Sequence, residues 1–263
     1  MRESTSVPGW MGQVSLLTQK AISDSARNPV LVLNLLLAWL FLLVYDGTVG
    51  ELPLFQEIAG GDYFTFLLPA AILAASVGGG AAGLLLVGDL SSGYLQKLLA
   101  MPLRRSALVA SLLIAAGFQV VVQSVGVIGF ALLLGADPAA GPLGYAGLLA
   151  LCCVWGAGFA AYSVAVAVTT ADVQMTAVAN LIFIPLIFFS PLLVPYRYLK
   201  PWMQEAADVN PTRYVMEGMR GILEGNGSTP LLVKSAAACC AFFLVMLVLA
   251  LLALRLRLPR LIR

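Results

Sequence analysis

The sequence has no histidine, which removes imidazole metal sites, Ser-His catalytic pairs and imidazole proton relays. Charge is scarce too: 15 Lys or Arg and 13 Asp or Glu make up 11% of 263 residues, for a net charge of +2. So thin and scattered a balance offers no nucleic-acid face. The dipeptide Gly-Lys never occurs, because the four lysines follow Gln19, Gln96, Leu199 and Val233. The phosphate-cradling Gly-Lys-Ser/Thr loop is therefore excluded. Cysteine is confined to two adjacent pairs, Cys152-Cys153 and Cys239-Cys240. Neighbours on a helix point about 100° apart and do not bridge, so these read as small apolar packing residues.

What the chain has instead is uncharged length. Six stretches, 28–45, 63–88, 106–136, 138–171, 173–196 and 235–254, carry no charged residue and together hold 153 of the 263 residues. With 60% hydrophobic residues and a mean hydropathy of +0.95, a soluble globular domain is excluded. A helix crosses a bilayer with about 20 apolar residues. The prediction is an all-α polytopic membrane protein, a single domain over 1–263, with six transmembrane helices near 29–49, 64–87, 107–134, 145–168, 174–194 and 232–254. Asn28-Pro29 reads as a cap followed by proline at the first helical position, and Ser106 reads as the cap of the third span. The first apolar run begins only near Val30, so no removable signal peptide is expected.

Six spans put both termini on one side. Arg2, Lys20 and Arg27 in the leader, Lys97, Arg104 and Arg105 after the second span, and Arg255, Arg257, Arg260 and Arg263 in the tail all fall on that side. The opposite loops at 50–63 and 135–144 hold only acids: Glu51, Glu57, Asp62 and Asp137. The positive-inside rule then makes both termini cytoplasmic. In the outer segment 195–231, Arg197, Lys200, Arg213 and Arg220 are nearly balanced by Glu205, Asp208, Glu217 and Glu224.

Three segments outside the spans carry helical patterns. In the leader, Trp10, Val14, Leu17 and Ala21 share one face, which predicts an amphipathic interface helix over 10–26. Between the second and third spans, Asp89 or the following serines cap a short helix that Pro102 ends, with Leu95, Leu98 and Leu99 as its apolar strip. Such a helix either lies on lipid or fits a partner's groove. In the outer segment, Asn210 is a natural cap, Pro211 the first helical residue and Gly225 the stop. Arg213, Glu217, Arg220 and Glu224 are spaced as an ion-pair ladder.

A membrane enzyme needs clustered nucleophiles, carboxylates or metal ligands. Here the acids are dispersed, and the topology separates Asp62 from Asp89 and Asp172. An ion-coupled carrier needs ionisable groups within its spans. The spans offer only Asn34, Gln119, Gln123, Ser124 and Asn180 at depth, with Gln119 and Gln123 one turn apart for interhelical bonding or a translocation path. Gly79 and Gly83 in the second span, and Gly156 and Gly158 in the fourth, mark faces of close helix contact, within or between subunits. Pro185 predicts a kink in the fifth span.

With these segments placed, the chain resembles the membrane subunit of ATP-binding-cassette exporters of the type-2 permease family, which includes antibiotic-resistance and polysaccharide-export permeases. Two stretches carry the resemblance: Gly88 to Arg105, with its acid, Gly, Leu-rich turn and Met-Pro-x-Arg-Arg ending, and Asn210 to Gly225, with Asn-Pro-x-x-Tyr-x-x-Glu-x-x-Arg. The resemblance implies that Asp89, Gly93, Tyr94, Leu95, Lys97, Leu98, Pro102, Arg104 and Arg105 form a cytoplasmic coupling helix and its flanks, docking on a separate ATPase. It implies that the helix carrying Asn210, Pro211, Tyr214, Glu217 and Arg220 dips into the outer leaflet beside the exit. Asn34, Phe118, Gln119, Gln123, Asn180 and Phe188 are the candidate pathway residues.

The chain itself would hold no cofactor; ATP and Mg²⁺ would sit on the partner ATPase. The implied partners are that cytoplasmic ATPase, a second permease subunit, identical or not, and membrane lipid, in the cytoplasmic membrane of a prokaryote. Cargo would be drug-like or lipid-like rather than polysaccharide, because no carbohydrate-binding aromatic ladder is present. Export of polysaccharide or glycolipid, and a non-transport scaffold, stand as alternatives. Replacing Leu95 or Leu98 with Asp is expected to uncouple transport without abolishing folding.

Overall fold

The computed structural model describes residues 9–50, 52–59, 62–76, 80–101 and 104–261, and among these it contains helices and connections but no strand. The helices, in order, are α1 (Trp10–Ala26), α2 (Pro29–Tyr45), α3 (Pro53–Ala59), α4 (Tyr63–Ala75), α5 (Ala81–Ser91), α6 (Tyr94–Ala100), α7 (Arg105–Leu133), α8 (Pro142–Thr170), α9 (Val173–Asn180), α10 (Phe183–Phe188), α11 (Pro201–Asp208), α12 (Pro211–Leu223) and α13 (Thr229–Leu261). A π-helical turn, Asp46–Gly50, prolongs α2, and Tyr196–Tyr198 forms a 3₁₀ turn before α11.

Capping follows the local sequence in most places. The side chain of Asn28 accepts from the Val30 amide at 3.0 Å, Asp62 from Phe64 and Thr65 at 3.0 and 3.1 Å, and Asp172 from Met175 at 2.7 Å. Pro29, Pro142, Pro201 and Pro211 open their helices, where a missing N–H costs nothing. Ser106 departs from its expected role. The cap position of α7 is Arg104, with no side-chain bond, and Ser106 lies inside the helix, where its Oγ accepts from Trp10 Nε1 at 3.3 Å.

Among the described residues four helical stretches are long and apolar enough to cross a membrane: Pro29–Thr48, Ser106–Leu133, Pro142–Thr170 and Thr229–Arg257. The second and fifth predicted spans are not continuous helices. The second is divided into α4 and α5. Ser76 Oγ donates to the Ile72 carbonyl at 2.8 Å at the end of α4, and residues 77–79 lie outside the described residues. The fifth is divided into α9 and α10. Pro185 has no N–H to give the Leu181 carbonyl four residues back, which accepts from Ile184 at 3.0 Å instead.

α7 and α8 form the axis of the bundle. Inside it lie 67% and 61% of their most apolar stretches, against 11% for α2 and 22% for α13. Two apolar cores stack along this axis. One gathers α4, α10 and α12 with the C-terminal part of α7 and the N-terminal part of α8, around Tyr63, Leu67, Trp155, Phe159, Phe183 and Met216. The other gathers α1, α5 and Leu98 with the opposite ends of α7, α8 and α13. Small residues let these helices touch within one chain. A Cβ on Gly83 would overlap Ser163 of α8, and one on Gly156 would overlap Val120 of α7. Gly79 lies outside the described residues.

Candidate functional site

The two ends of the bundle hold the charged residues that the sequence picks out. At the end carrying α1 and the C-terminal half of α13, α5 runs on through Asp89 to Ser91 and turns at Gly93 into α6. Gly93 has φ +73°, a left-handed conformation that a residue with a Cβ adopts at a cost. Asp89 is therefore not the cap of α6. It sits one turn before the corner, where its carboxylate lies 3.6 Å from the Lys20 ammonium of α1. Lys20 also bonds Asp24 at 2.8 Å and stands 4.4 Å from the centre of the Tyr94 ring. Asp24 and Asp89 together outweigh the desolvation of Lys20 and raise its pKa above the usual lysine value.

α1 is bound to this corner rather than lying apart from it. Val14 and Ala21, on the face expected to meet lipid, are buried against the chain, and Gln13 Oε1 accepts from the Arg104 amide at 3.1 Å. Leu98 is buried in the same core with Leu108 and Leu112, so the apolar strip of α6 does not stand free as a whole. Lys97 and Arg104 are exposed. Pro102 lies outside the described residues, and for Leu95, Leu99 and Arg105 the description stops at the backbone.

At the other end, Asn210 does three tasks. Its Oδ1 caps α12 through the Thr212 amide at 3.0 Å, and its Nδ2 donates to the carbonyls of Leu186 and Phe189 at 2.6 and 3.0 Å, tying α12 to α10. α12 is not a solvated surface helix: Val215, Met216, Met219 and Leu223 are fully buried. Gly218 lies against Ser235 of α13, and Gly225, with φ +67°, turns the chain after the helix.

The expected ladder along α12 is only half formed. Arg213 pairs with Glu217 at 3.0 Å and with Asp208, and its guanidinium lies 3.5 Å from the Tyr196 ring centre. Tyr214 donates to the Asp208 carbonyl at 2.7 Å. Arg220 joins neither Glu217 nor Glu224. It is 6% exposed, donates from Nε to the Phe66 carbonyl at 3.0 Å and from Nη2 to the carbonyls of Pro191 and Leu192 at 2.7 and 3.1 Å, and stacks 3.5 Å over the Phe66 ring. Residues 191 and 192 follow α10 without helical bonds of their own, so their carbonyls need donors, and the guanidinium supplies them. Burial pushes the Arg220 pKa down to about 9, with the charges of Glu224 and Glu217 opposing the shift. An open cleft of about 410 Å³ lies beside it.

The six candidate pathway residues are dispersed. Gln123 Nε2 reaches the Leu31 carbonyl of α2 at 3.4 Å, one turn from half-buried Asn34. Gln119 borders a small space shared with Ala21 and Ser25 of α1 and Ala82 of α5. Asn180 Nδ2 and Ser163 Oγ both donate to the carbonyl of Gly80, the cap residue of α5, at 3.1 and 2.6 Å. Phe118 and Phe188 are exposed on the outside of the helices, at 50% and 62%. Gln123 and Asn180 thus make bonds between helices of this chain, and among the described residues no one cavity gathers the six.

Lys20, Phe66, Arg197 and Glu224 belong to these two ends, yet the sequence did not single them out as site residues. Glu224 entered only as a rung of the expected ladder, and the i,i+4 spacing of Lys20 and Asp24 is the signal that could have pointed to Lys20. The four cysteines are unbridged, with Cys152 and Cys239 buried. Among the described residues no cluster of acids and cysteines could hold a metal ion.

Residues 12–223, from α1 to the end of α12, match the family model described as ABC-2 type transporter. The chain is 26% identical over 216 residues, 80% of its length and 73% of the relative's, to a protein of Porphyra purpurea described as the transport permease ycf38. It is 25% identical over 218 residues, 82% of its length and 78% of the relative's, to a Mycobacterium tuberculosis protein described as the doxorubicin resistance ABC transporter permease DrrC. With four-fifths of the chain matched, its apolar helices set around two charged ends, this multi-pass membrane protein belongs to the ABC-2 type transporter permease family.

Proposed function

We propose that the chain is the membrane-spanning subunit of an ATP-driven exporter that moves amphipathic, drug-like or lipid-like cargo out of the cytoplasm or the inner leaflet. The family match from α1 through α12 carries the reading. Permeases of this family are transport subunits, and the ABC-2 type implies a separate ABC ATPase. The absence of any Gly-Lys pair accords with ATP and Mg²⁺ being held on that partner. The drug-resistance description of the mycobacterial relative supports a lipophilic cargo.

In this reading the chain crosses the membrane six times, α4–α5 and α9–α10 each serving as one interrupted crossing, with both termini in the cytoplasm. Two permeases, identical or different, form the pathway above two ATPases. The α5–α6 corner, with Asp89, Gly93, Tyr94 and Lys97, docks on the ATPase, and α1 rides with it through Lys20. The α12 end stands at the outer leaflet beside the exit. Closure of the ATPases on ATP moves the corners, and the two bundles change their mutual packing as rigid bodies.

The test is ATPase stimulation in a reconstituted permease–ATPase complex. Hydrolysis should rise with lipophilic drugs or lipids, and a flat response to all of them would remove the cargo assignment. If no ABC ATPase copurifies with the permease and none restores transport, the exporter reading itself fails.

A further inference from the structure

The cleft beside α12 holds charge that the packing of the chain does not consume. Its wall brings together two cations, Arg197 and Arg220, and two anions, Glu217 and Glu224, over an apolar floor that includes Phe66 and Leu231. Glu217 is spent on Arg213 at 3.0 Å. Arg220 is held rigidly by three carbonyls through Nε and Nη2, while its Nη1 has no hydrogen-bond partner among the described residues. Arg197 is exposed, makes one long bond, 3.5 Å to the Ile58 carbonyl, and lies 4.8 Å from the centre of the Tyr198 ring, a face that supplies no counter-charge. Among the described residues the Glu224 carboxylate is bonded only by Asn226 Nδ2, at 2.9 Å. What remains is a fixed guanidinium edge, an exposed guanidinium and a carboxylate around about 410 Å³ of open space.

A purely anionic group placed there would meet the carboxylates of Glu217 and Glu224. A lone amine would meet Arg197 and Arg220. A ligand carrying both signs satisfies the unspent groups together, and a guanidinium held in advance binds a phosphate oxygen with little further loss of freedom. The apolar floor matches an acyl chain leaving the headgroup.

We propose that this cleft binds the headgroup of an aminophospholipid, phosphate to Arg220 and Arg197 and primary ammonium to Glu224. The proposal rests on the reading that the α12 end stands at a membrane surface. The same chemistry fits a bilayer lipid held in place and a lipid in transit as cargo.

Native mass spectrometry of the purified full chain, titrated with phosphatidylethanolamine, phosphatidylcholine and phosphatidylglycerol, tests it. Choline cannot donate a hydrogen bond to Glu224, and glycerol carries no cation. Phosphatidylethanolamine should therefore be retained about tenfold better than either, the worth of one charge-assisted hydrogen bond. Glu224→Gln should erase the preference over phosphatidylcholine, and Arg197→Gln should weaken retention of all three. Neither residue is in the packed core, so both variants should fold; Arg220→Lys, which keeps the charge but not the fork, should lower retention as a third variant.

Equal retention of the three lipids by the unaltered chain, an unchanged preference in Glu224→Gln, or undiminished retention of the three lipids in Arg197→Gln overturns the site. ATP-dependent transfer of labelled phosphatidylethanolamine in the reconstituted complex then separates cargo from resident lipid. The two readings fail separately. Loss of lipid selectivity with ATPase stimulation intact removes the headgroup site alone, whereas selective retention with a flat ATPase response removes the cargo assignment alone.

Discussion

At the leader end, Lys20 gathers Asp24 and Asp89 with its own side chain 36% exposed and those of its partners 42% and 32% exposed. At the α12 end, Arg220 is 6% exposed and spends its guanidinium on three backbone carbonyls and an aromatic ring. The first arrangement is screened by water and is made of groups that can part and be solvated separately. The second cannot open without leaving both a buried charge and unpaired carbonyls. One end is built to move at low cost and the other to hold its shape, as expected if force enters at the α5–α6 corner and the exit is a fixed frame.

Removing the guanidinium attacks that contrast most directly. Arg220→Ala should cost about 3–5 kcal/mol, measured as a fall in the thermal or denaturant midpoint of the detergent-purified chain; a drop under about 1 kcal/mol would show that the carbonyls find other donors. Leu98→Asp should cost about 3 kcal/mol, because this residue is buried in the leader-end core. It is therefore expected to lower the yield of folded protein in size-exclusion profiles, which corrects the expectation of a clean uncoupling variant. Asn210→Ala removes the cap of α12 and two bonds to α10, and should cost about 2 kcal/mol; protease protection of the α10–α12 connection reports it. Lys20→Met should cost less than about 1 kcal/mol while changing ATPase stimulation in the reconstituted complex. A large stability loss for Lys20→Met would erase the distinction between the two ends.

Much of the secondary structure was legible because its determinants are local. Asn28-Pro29, Asp62, Asp172 and Asn210-Pro211 each carry a cap and a start within a few residues, and their helices begin there. The leader helix was readable from its period, although the face that repeats Val14 and Ala21 meets α7 and its neighbours rather than lipid. Apolar periodicity reports that a face is buried and says nothing of what buries it. Asp89 and Ser106 were misread for a related reason. Both have the chemistry of a cap, but each sits within a helix that continues past it and uses its side chain across the bundle, towards Lys20 and Trp10 respectively. The i,i+4 spacing of Arg220 and Glu224 likewise permits a pair, yet the carbonyls of Pro191 and Leu192, outside any helix, together with that of Phe66 take the same guanidinium instead.

The amino-acid order alone determined that the chain is helical and membrane-spanning, that it holds no histidine and no Gly-Lys pair, and that its charges gather between apolar segments. Hydropathy and the chemistry of absent side chains are properties of composition and need no folding to be read. Tertiary structure decided where the uncharged segments break, which charges pair, and that Arg220 is a buried bracket beside an open cleft. Those outcomes depend on backbone groups left unpaired by one element and satisfied by another far along the chain, a competition that arises only once the helices pack.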